Sequence, residues 1–371
     1  MPPETGLPRQ AGAWLDASTE DRIDSVFSSH DRDGSPGYAL GLVKEGRLVY
    51  ARGYGRANLS DDVPITPRTT FHLASVSKQF TAAALALLIL DGKVSLEEPV
   101  STYVPEAGKY GSELKIKHLV YFTSGLHEYS TLPRKSGLPW QSFYYFTVDE
   151  AISASLSPEA LKFRPGTRWE YSNINYMLIT RIVAKASGEP FAAFMQRRVF
   201  SPLEMRHSLV NDDSTRVIPQ RAIGYAPRTE AIVREASAQF GIHLQPTGGY
   251  LQLMRVSPHY GGSGVFSSIE DLAKWDAHWY SQQLAPGFTE LMNTRMRFAH
   301  SKDNDAFGIV HGQFEGRPML WFSGGDLDTS TYMARFPEQR FTIICLSNLS
   351  TGNAEGKAAE VLRILTAAGK L

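Results

Sequence analysis

From Phe80 to Leu90 the chain reads Phe-Thr-Ala-Ala-Ala-Leu-Ala-Leu-Leu-Ile-Leu, and Asp91-Gly92 closes the run. As a helix this stretch is apolar nearly all round, so it has no side to give to water and must be buried by other elements. At 371 residues the chain is about twice the usual single-domain length, enough for two domains or for one with a large insertion. No stretch reaches the roughly 20 apolar residues of a membrane span, so the helix is expected to be covered by protein.

The segments around it alternate in type. A helix is expected at about 18–28, followed by two apolar strands, Tyr38 to Lys44 and Arg47 to Tyr54, joined by Glu45-Gly46, a two-residue hairpin signal. Helices then dominate: the buried one, Ile174 to Ala186 ended by Gly188, and Phe191 to Val199 ended by Pro202. Loops rich in Pro, Gly and polar residues run from His127 to Pro139 and from Val210 to Gly264, too long for plain connectors and suited to the walls of a cleft. After a helix from Ile269 to Tyr280 come strands at Gly308 to Phe314 and Met319 to Phe322 around Glu315-Gly316, then Thr331 to Phe336 and Arg340 to Leu346, and a last helix from Ala354 to Ala368. The expectation is an α/β sandwich, in the α+β sense. Its antiparallel sheet is flanked by N- and C-terminal helices and split by a mainly helical insertion. Residues 1–72 with 265–371 would form the sandwich and 73–264 the helical domain with the active-site loops. A ligand belongs in the cleft between them.

Composition narrows the partners. Lys plus Arg and Asp plus Glu are both 38, with no run of like charge, so neither nucleic acid nor an anionic membrane surface is called for and the expected ligand is small. The single cysteine, Cys345, excludes an internal disulfide and reads as an inert thiol in a buried strand. The ten histidines show no ligand spacing, and Gly53-Tyr54-Gly55 lacks the rest of a dinucleotide fingerprint, so no metal and no cofactor is expected. Met1-Pro-Pro-Glu-Thr has no signal-peptide character, which points to a cytoplasmic protein unless a leader has been removed. The sequence sets no oligomeric state.

Ser75-Val76-Ser77-Lys78 opens the buried helix, and a spacing of three puts the Ser75 hydroxyl and the Lys78 amine on one face. A hydroxyl becomes a nucleophile when a base takes its proton, and a neutral lysine one turn away can be that base. The spacing alone is weak, since a chain this long yields about one or two chance matches. Ser112-Glu113-Leu114-Lys115 is one, in a polar stretch with no apolar run behind it. A free lysine titrates at about 10.4, so a base role near neutrality needs burial or a second charge. Tyr171-Ser172-Asn173 offers a partner: of the sixteen tyrosines, Tyr171 alone has Asn two positions on. Tyrosinate beside ammonium and tyrosine beside amine are two microstates of one pair, and sequence leaves both open. Asn173 can donate to a substrate carbonyl and accept from Lys78. The bland alternatives are a helix-capping Ser75 with a solvated lysine, a packed Tyr171 and a turn-forming Asn173.

Together these residues resemble the serine beta-lactamase and penicillin-binding-protein-like hydrolases, in the branch of class C lactamases, D-amino-acid peptidases and family VIII esterases. The resemblance runs from about Tyr38 to Asn348. It is carried by Phe71-His-Leu-Ala-Ser-Val-Ser-Lys78, Thr123-Ser-Gly-Leu126, Pro165-Gly166 with Tyr171-Ser-Asn173, Pro202-Leu203-Glu-Met205 and Gly261-Gly-Ser-Gly264. It implies that Ser75 is acylated, that Lys78 and Tyr171 share the proton work, and that the amides of Ser75 and a strand residue hold the oxyanion. That strand's motif, usually Lys or His, then Thr or Ser, then Gly, aligns with Phe322-Ser323-Gly324, and Gly325 carries the second amide. Phe322 cannot pair with a substrate carboxylate, which favours a small carboxylic ester over a beta-lactam or D-peptide. Downstream, Asp328-Thr329 replaces a usual Gly-Phe pair, and Phe122 a common histidine. The alternatives are a beta-lactamase or D-amino-acid or D-Ala-D-Ala peptidase, an acyltransferase, and a binding protein with little turnover. Aromatic residues at Trp140 to Phe146, with Tyr129 and Tyr250, can line an acyl pocket, though core packing is the more economical reading.

Overall fold

The computed structural model describes residues 14–137, 140, 144–241, 243–253, 257–296, 304–305 and 307–371. Both Glu-Gly pairs turn hairpins as expected. Glu45 and Gly46 have φ of 53° and 75°, and Glu315 and Gly316 have 48° and 81°, the left-handed pair that matches strand twist. The first hairpin, Tyr38–Lys44 with Arg47–Tyr54, has the expected bounds. The second is longer than the sequence suggests: Val310–Phe314 pairs with Arg317–Asp326, which carries the Phe322 to Gly325 motif inside the strand.

Among the described residues seven strands form one antiparallel sheet, in the order Asn304–Asp305, Val310–Phe314, Arg317–Asp326, Thr329–Phe336, Phe341–Ser347, Tyr38–Lys44 and Arg47–Tyr54. Strands from the two ends of the chain meet where Leu40 pairs with Cys345. The long central segment is thus an excursion from one sheet. Tyr38–Lys44 is buried on both faces, because its alternating side chains enter two cores. Leu40 and Leu42 pack with Ile23 and Phe27 of the Ala17–Phe27 helix and Val361 and Leu365 of the Ala354–Ala367 helix, whereas Ala39 and Val43 join the core containing Ile269 and Leu272. Cys345 lies in the first of these, and burial pushes its thiol well above the ordinary range, consistent with an inert residue.

The apolar helix is Lys78–Leu90, and every residue from Lys78 to Leu88 is buried. It packs on Asn173–Ser187, Phe288–Met292 and Phe191–Met195, and the last of these continues as a π turn over Gln196–Phe200. The stretch from Val210 to Gly264 is not all loop: Glu230–Phe240 is a helix capped by Thr229, and Tyr225–Pro227 pairs with Tyr250–Gln252. Tyr129, Trp140 and Phe146 make ring contacts at 5.2 to 5.6 Å, so they pack on one another, while 141–143 fall outside the described residues. Among the described residues no helix is long and apolar enough to cross a membrane.

Candidate active site

The chain enters the site through the short Phe71–His72 strand, which pairs with Val265–Ser267. Ala74 then takes φ of 45°, a conformation a residue with a Cβ adopts only at a cost of about 1–3 kcal/mol, and a 3-10 turn over Ala74–Ser77 leads into the helix at Lys78. Ser75 therefore sits in a tight turn before the α-helix, not within it. The turn is pinned by three hydrogen bonds. Leu73 N–H donates to the Val265 carbonyl at 2.9 Å, Val265 N–H to Ser77 Oγ at 3.0 Å, and Thr331 Oγ1 to the Leu73 carbonyl at 2.8 Å. Gly324 packs against this turn so closely that a Cβ there would lie 2.6 Å from the Leu73 carbonyl oxygen and 2.8 Å from the Ser75 nitrogen. Only glycine fits at that approach.

Lys78 is 0 % exposed. Its Nζ lies 3.1 Å from Ser75 Oγ, 2.9 Å from Asn173 Oδ1 and 2.6 Å from the Gly262 carbonyl oxygen. Three acceptors match the three N–H bonds of an ammonium, and a neutral amine can use two and accept the Ser75 proton with its lone pair. Tyr171 OH is 2.7 Å from Ser75 Oγ, and Lys78 Nζ stands 4.7 Å over the Tyr171 ring. The tyrosine is 39 % exposed. The lysine thus reaches the hydroxyl from inside the protein and the phenol reaches it from the solvent side.

Tyr171 and Asn173 are held by residues the sequence reading did not connect to them. Glu128 Oε2 accepts from Ser172 Oγ at 2.6 Å and from Asn173 N–H at 2.7 Å, a carboxylate seated on the first turn of the Asn173–Ser187 helix where free N–H groups and the helix dipole favour a negative charge. Phe122, noted in the sequence only as a departure, stacks on Tyr171 at 5.0 Å and on Tyr176 at 5.2 Å. It is the platform under the phenol. Gly262 was part of a glycine run, but a backbone acceptor has no side chain to announce it.

The third motif divides. Gly324 abuts the Ser75 turn, Ser323 is half-buried, and Gly325 is exposed with open space where a Cβ would stand. Phe322 is 7 % exposed and packs in the main core, so it lends the site neither charge nor an open surface. Among the described residues one group, His72, Asp326 and Asp328, brings metal-type donor atoms within 4.8 Å of one another. Both His72 nitrogens are hydrogen-bonded and Arg221 Nη2 stands 4.0 Å from Asp328, a poor setting for a cation.

A turn-borne serine backed by a buried lysine and faced by a tyrosine is the arrangement the resemblance implies. The Beta-lactamase family profile matches residues 23–368. The chain belongs to that family. It is 25 % identical over 344 residues to a D-aminopeptidase of Gluconobacter oxydans (strain 621H), covering 92 % of this chain and 61 % of the relative. It is 29 % identical over 309 residues to Penicillin-binding protein 4* of Bacillus subtilis (strain 168), covering 82 % and 66 %. The chain spans less than two thirds of the length of these relatives. Among solved structures, the D-amino acid amidase of Ochrobactrum anthropi SV3 superposes with a TM-score of 0.79 at 22 % identity, over 95 % of this chain and 100 % of that one. The octameric penicillin-binding protein homologue of Pyrococcus abyssi gives 0.77 at 23 %, over 96 % and 78 %. These two likenesses establish the fold, a beta-lactamase-like α/β arrangement.

Proposed function

We propose that this member of the Beta-lactamase family is a serine hydrolase working through an acyl-enzyme on a small ester or related acyl substrate. The observation that carries the reading is the convergence of Lys78 Nζ and Tyr171 OH on Ser75 Oγ, at 3.1 and 2.7 Å. Ser75 Oγ attacks the substrate carbonyl carbon while its proton passes to the Lys78–Tyr171 pair. The carbonyl oxygen, now an anion, is held by the amides of Ser75 and Gly325. Collapse breaks the bond to the leaving group, which takes a proton from Tyr171, the partner open to solvent. Water then attacks the acyl-serine through the same groups in reverse, releasing the acid. Asn173 holds Lys78 and offers its amide to the substrate. The substrate is assigned to the solvent side of Ser75, where Tyr171 is 39 % exposed and Gly325 is open, between the sandwich segments and residues 73–264.

Phe322 supports a substrate without a carboxylate beside the scissile bond, since its buried ring leaves no cation at that position of the motif. A carboxylic ester meets that requirement and is the first assignment. An amide of a D-amino acid meets it as well, and the names of the D-aminopeptidase and D-amino acid amidase relatives favour it as the second. Rates on nitrophenyl butyrate, a D-amino-acid nitroanilide and a chromogenic cephalosporin rank the assignments. The ester is expected to be fastest and the cephalosporin slowest; a cephalosporin turned over faster than the ester overturns the ordering.

A further inference from the structure

His72 lies three residues before Ser75 and is 4 % exposed. Both ring nitrogens are engaged, Nδ1 at 2.9 Å from Asp328 Oδ1 and Nε2 at 2.8 Å from Ser263 Oγ. Phe266 stacks on the ring at 5.1 Å and 23°, so the ring cannot turn without leaving a well-packed position. The His72 carbonyl also accepts from Thr329 Oγ1 at 2.9 Å.

The three side chains come from three of the segments that build the site. Asp328 stands in the turn between the strand bearing Gly324 and Gly325 and the next strand, Thr329–Phe336. Ser263 directly follows Gly262, whose carbonyl takes a Lys78 N–H at 2.6 Å. His72 is on the strand that leads into Ser75. We propose that His72, clamped between Asp328 and Ser263, is a positioning residue for acylation at Ser75, an inference that rests on the hydrolase reading above. It sets where the Lys78 acceptor and the oxyanion strand stand relative to the Ser75 turn. The clamp works in either charge state of the ring. A neutral ring donates from Nδ1 to the carboxylate and accepts the Ser263 hydroxyl at Nε2, and a cationic ring donates from both.

The test compares Asp328→Ala and Asp328→Asn with the unaltered chain, reading the rate of Ser75 labelling by a fluorophosphonate, kcat and KM on nitrophenyl butyrate, and Tm. Asp328→Ala is expected to slow labelling and kcat about tenfold while KM stays within about twofold, because the reacting groups are misplaced and the binding surface is not. Asp328→Asn keeps an oxygen that accepts from Nδ1–H and is expected to restore labelling to within about threefold. A folded Asp328→Ala that labels at the unaltered rate, or an Asp328→Asn as slow as the alanine variant, overturns the proposal. If Asp328→Ala does not fold, Ser263→Ala takes its place with the same expected loss, and an unchanged rate there overturns it too. An unaltered chain that does not label removes the hydrolase reading and this inference with it; an unaltered chain that labels alongside unimpaired variants removes this inference only.

Discussion

The chain carries serine, two residues and lysine twice, and the two copies meet different surroundings. At Ser75 a strained turn and a buried helix bring the amine to 3.1 Å from the hydroxyl, and the amine's other partners are the neutral oxygens of Asn173 and Gly262. At Ser112 the serine is exposed, Gly111 turns the chain with φ of 75°, and Lys115 precedes the short Ile116–Val120 helix, its Nζ 2.8 Å from Glu97. Glu97 is shared with Lys117 at 2.7 Å. The spacing places two side chains within reach only where secondary structure holds them, and it makes chemistry only where water is excluded from the amine. The second copy has neither.

Replacing each lysine by methionine is the sharpest way to break that contrast. Lys78→Met is expected to lower acylation about 1,000-fold or more, with Tm unchanged or raised, because a buried polar amine gives way to an apolar chain of similar volume. Lys115→Met should leave acylation unaltered. Equal losses in the two variants, measured by fluorophosphonate labelling rates, would remove the distinction. Tyr171→Phe tests the solvent-side partner. It keeps the stacking on Phe122, so folding should be unaffected, and it removes the hydroxyl beside Ser75 Oγ, so acylation should fall about 100-fold. An unchanged rate takes the phenol out of the mechanism.

The smallest effect lies at the second copy. Hydrogen bonds from Lys115 and Lys117 hold the Glu97 carboxyl at about 2, below its ordinary value near 4.5. A depressed carboxyl stabilises the fold fully above the ordinary value, and that contribution is lost as pH falls from about 4.5 to about 2. The carboxylate is largely in solvent, so the contribution is at most about 1 kcal/mol. Melting curves at pH 6 and pH 3 for Glu97→Gln and the unaltered chain should therefore diverge only slightly, with the larger acid loss in the unaltered chain.

Much of the frame was legible because it follows from local rules. The two Glu-Gly hairpins and the all-apolar helix announce themselves, and Ile269–Ser281 exceeds its expected range by a single residue. Glu230–Phe240 was not legible: among its described residues Val233 and Ala236 are the buried ones, so its apolar face is thin there, and the segment lies among glycines and prolines. At the candidate site, Ser75, Lys78, Tyr171 and Asn173 could be named because the roles proposed for them depend on side-chain type. Gly262 acts through its carbonyl, and Glu128 reaches a helix 45 residues away in the chain. Phe122 and Asp328 stood out as departures, but their contacts with Tyr171 and His72 exist only once the chain has folded.

The two motif copies differ most directly in which serine reacts. Incubation of the folded chain with a fluorophosphonate, followed by digestion and mass spectrometry, reads both copies of the motif in one experiment. The adduct is predicted on the peptide containing Ser75, with the Ser112 peptide unmodified. A folded chain with no adduct at Ser75 would contradict the account.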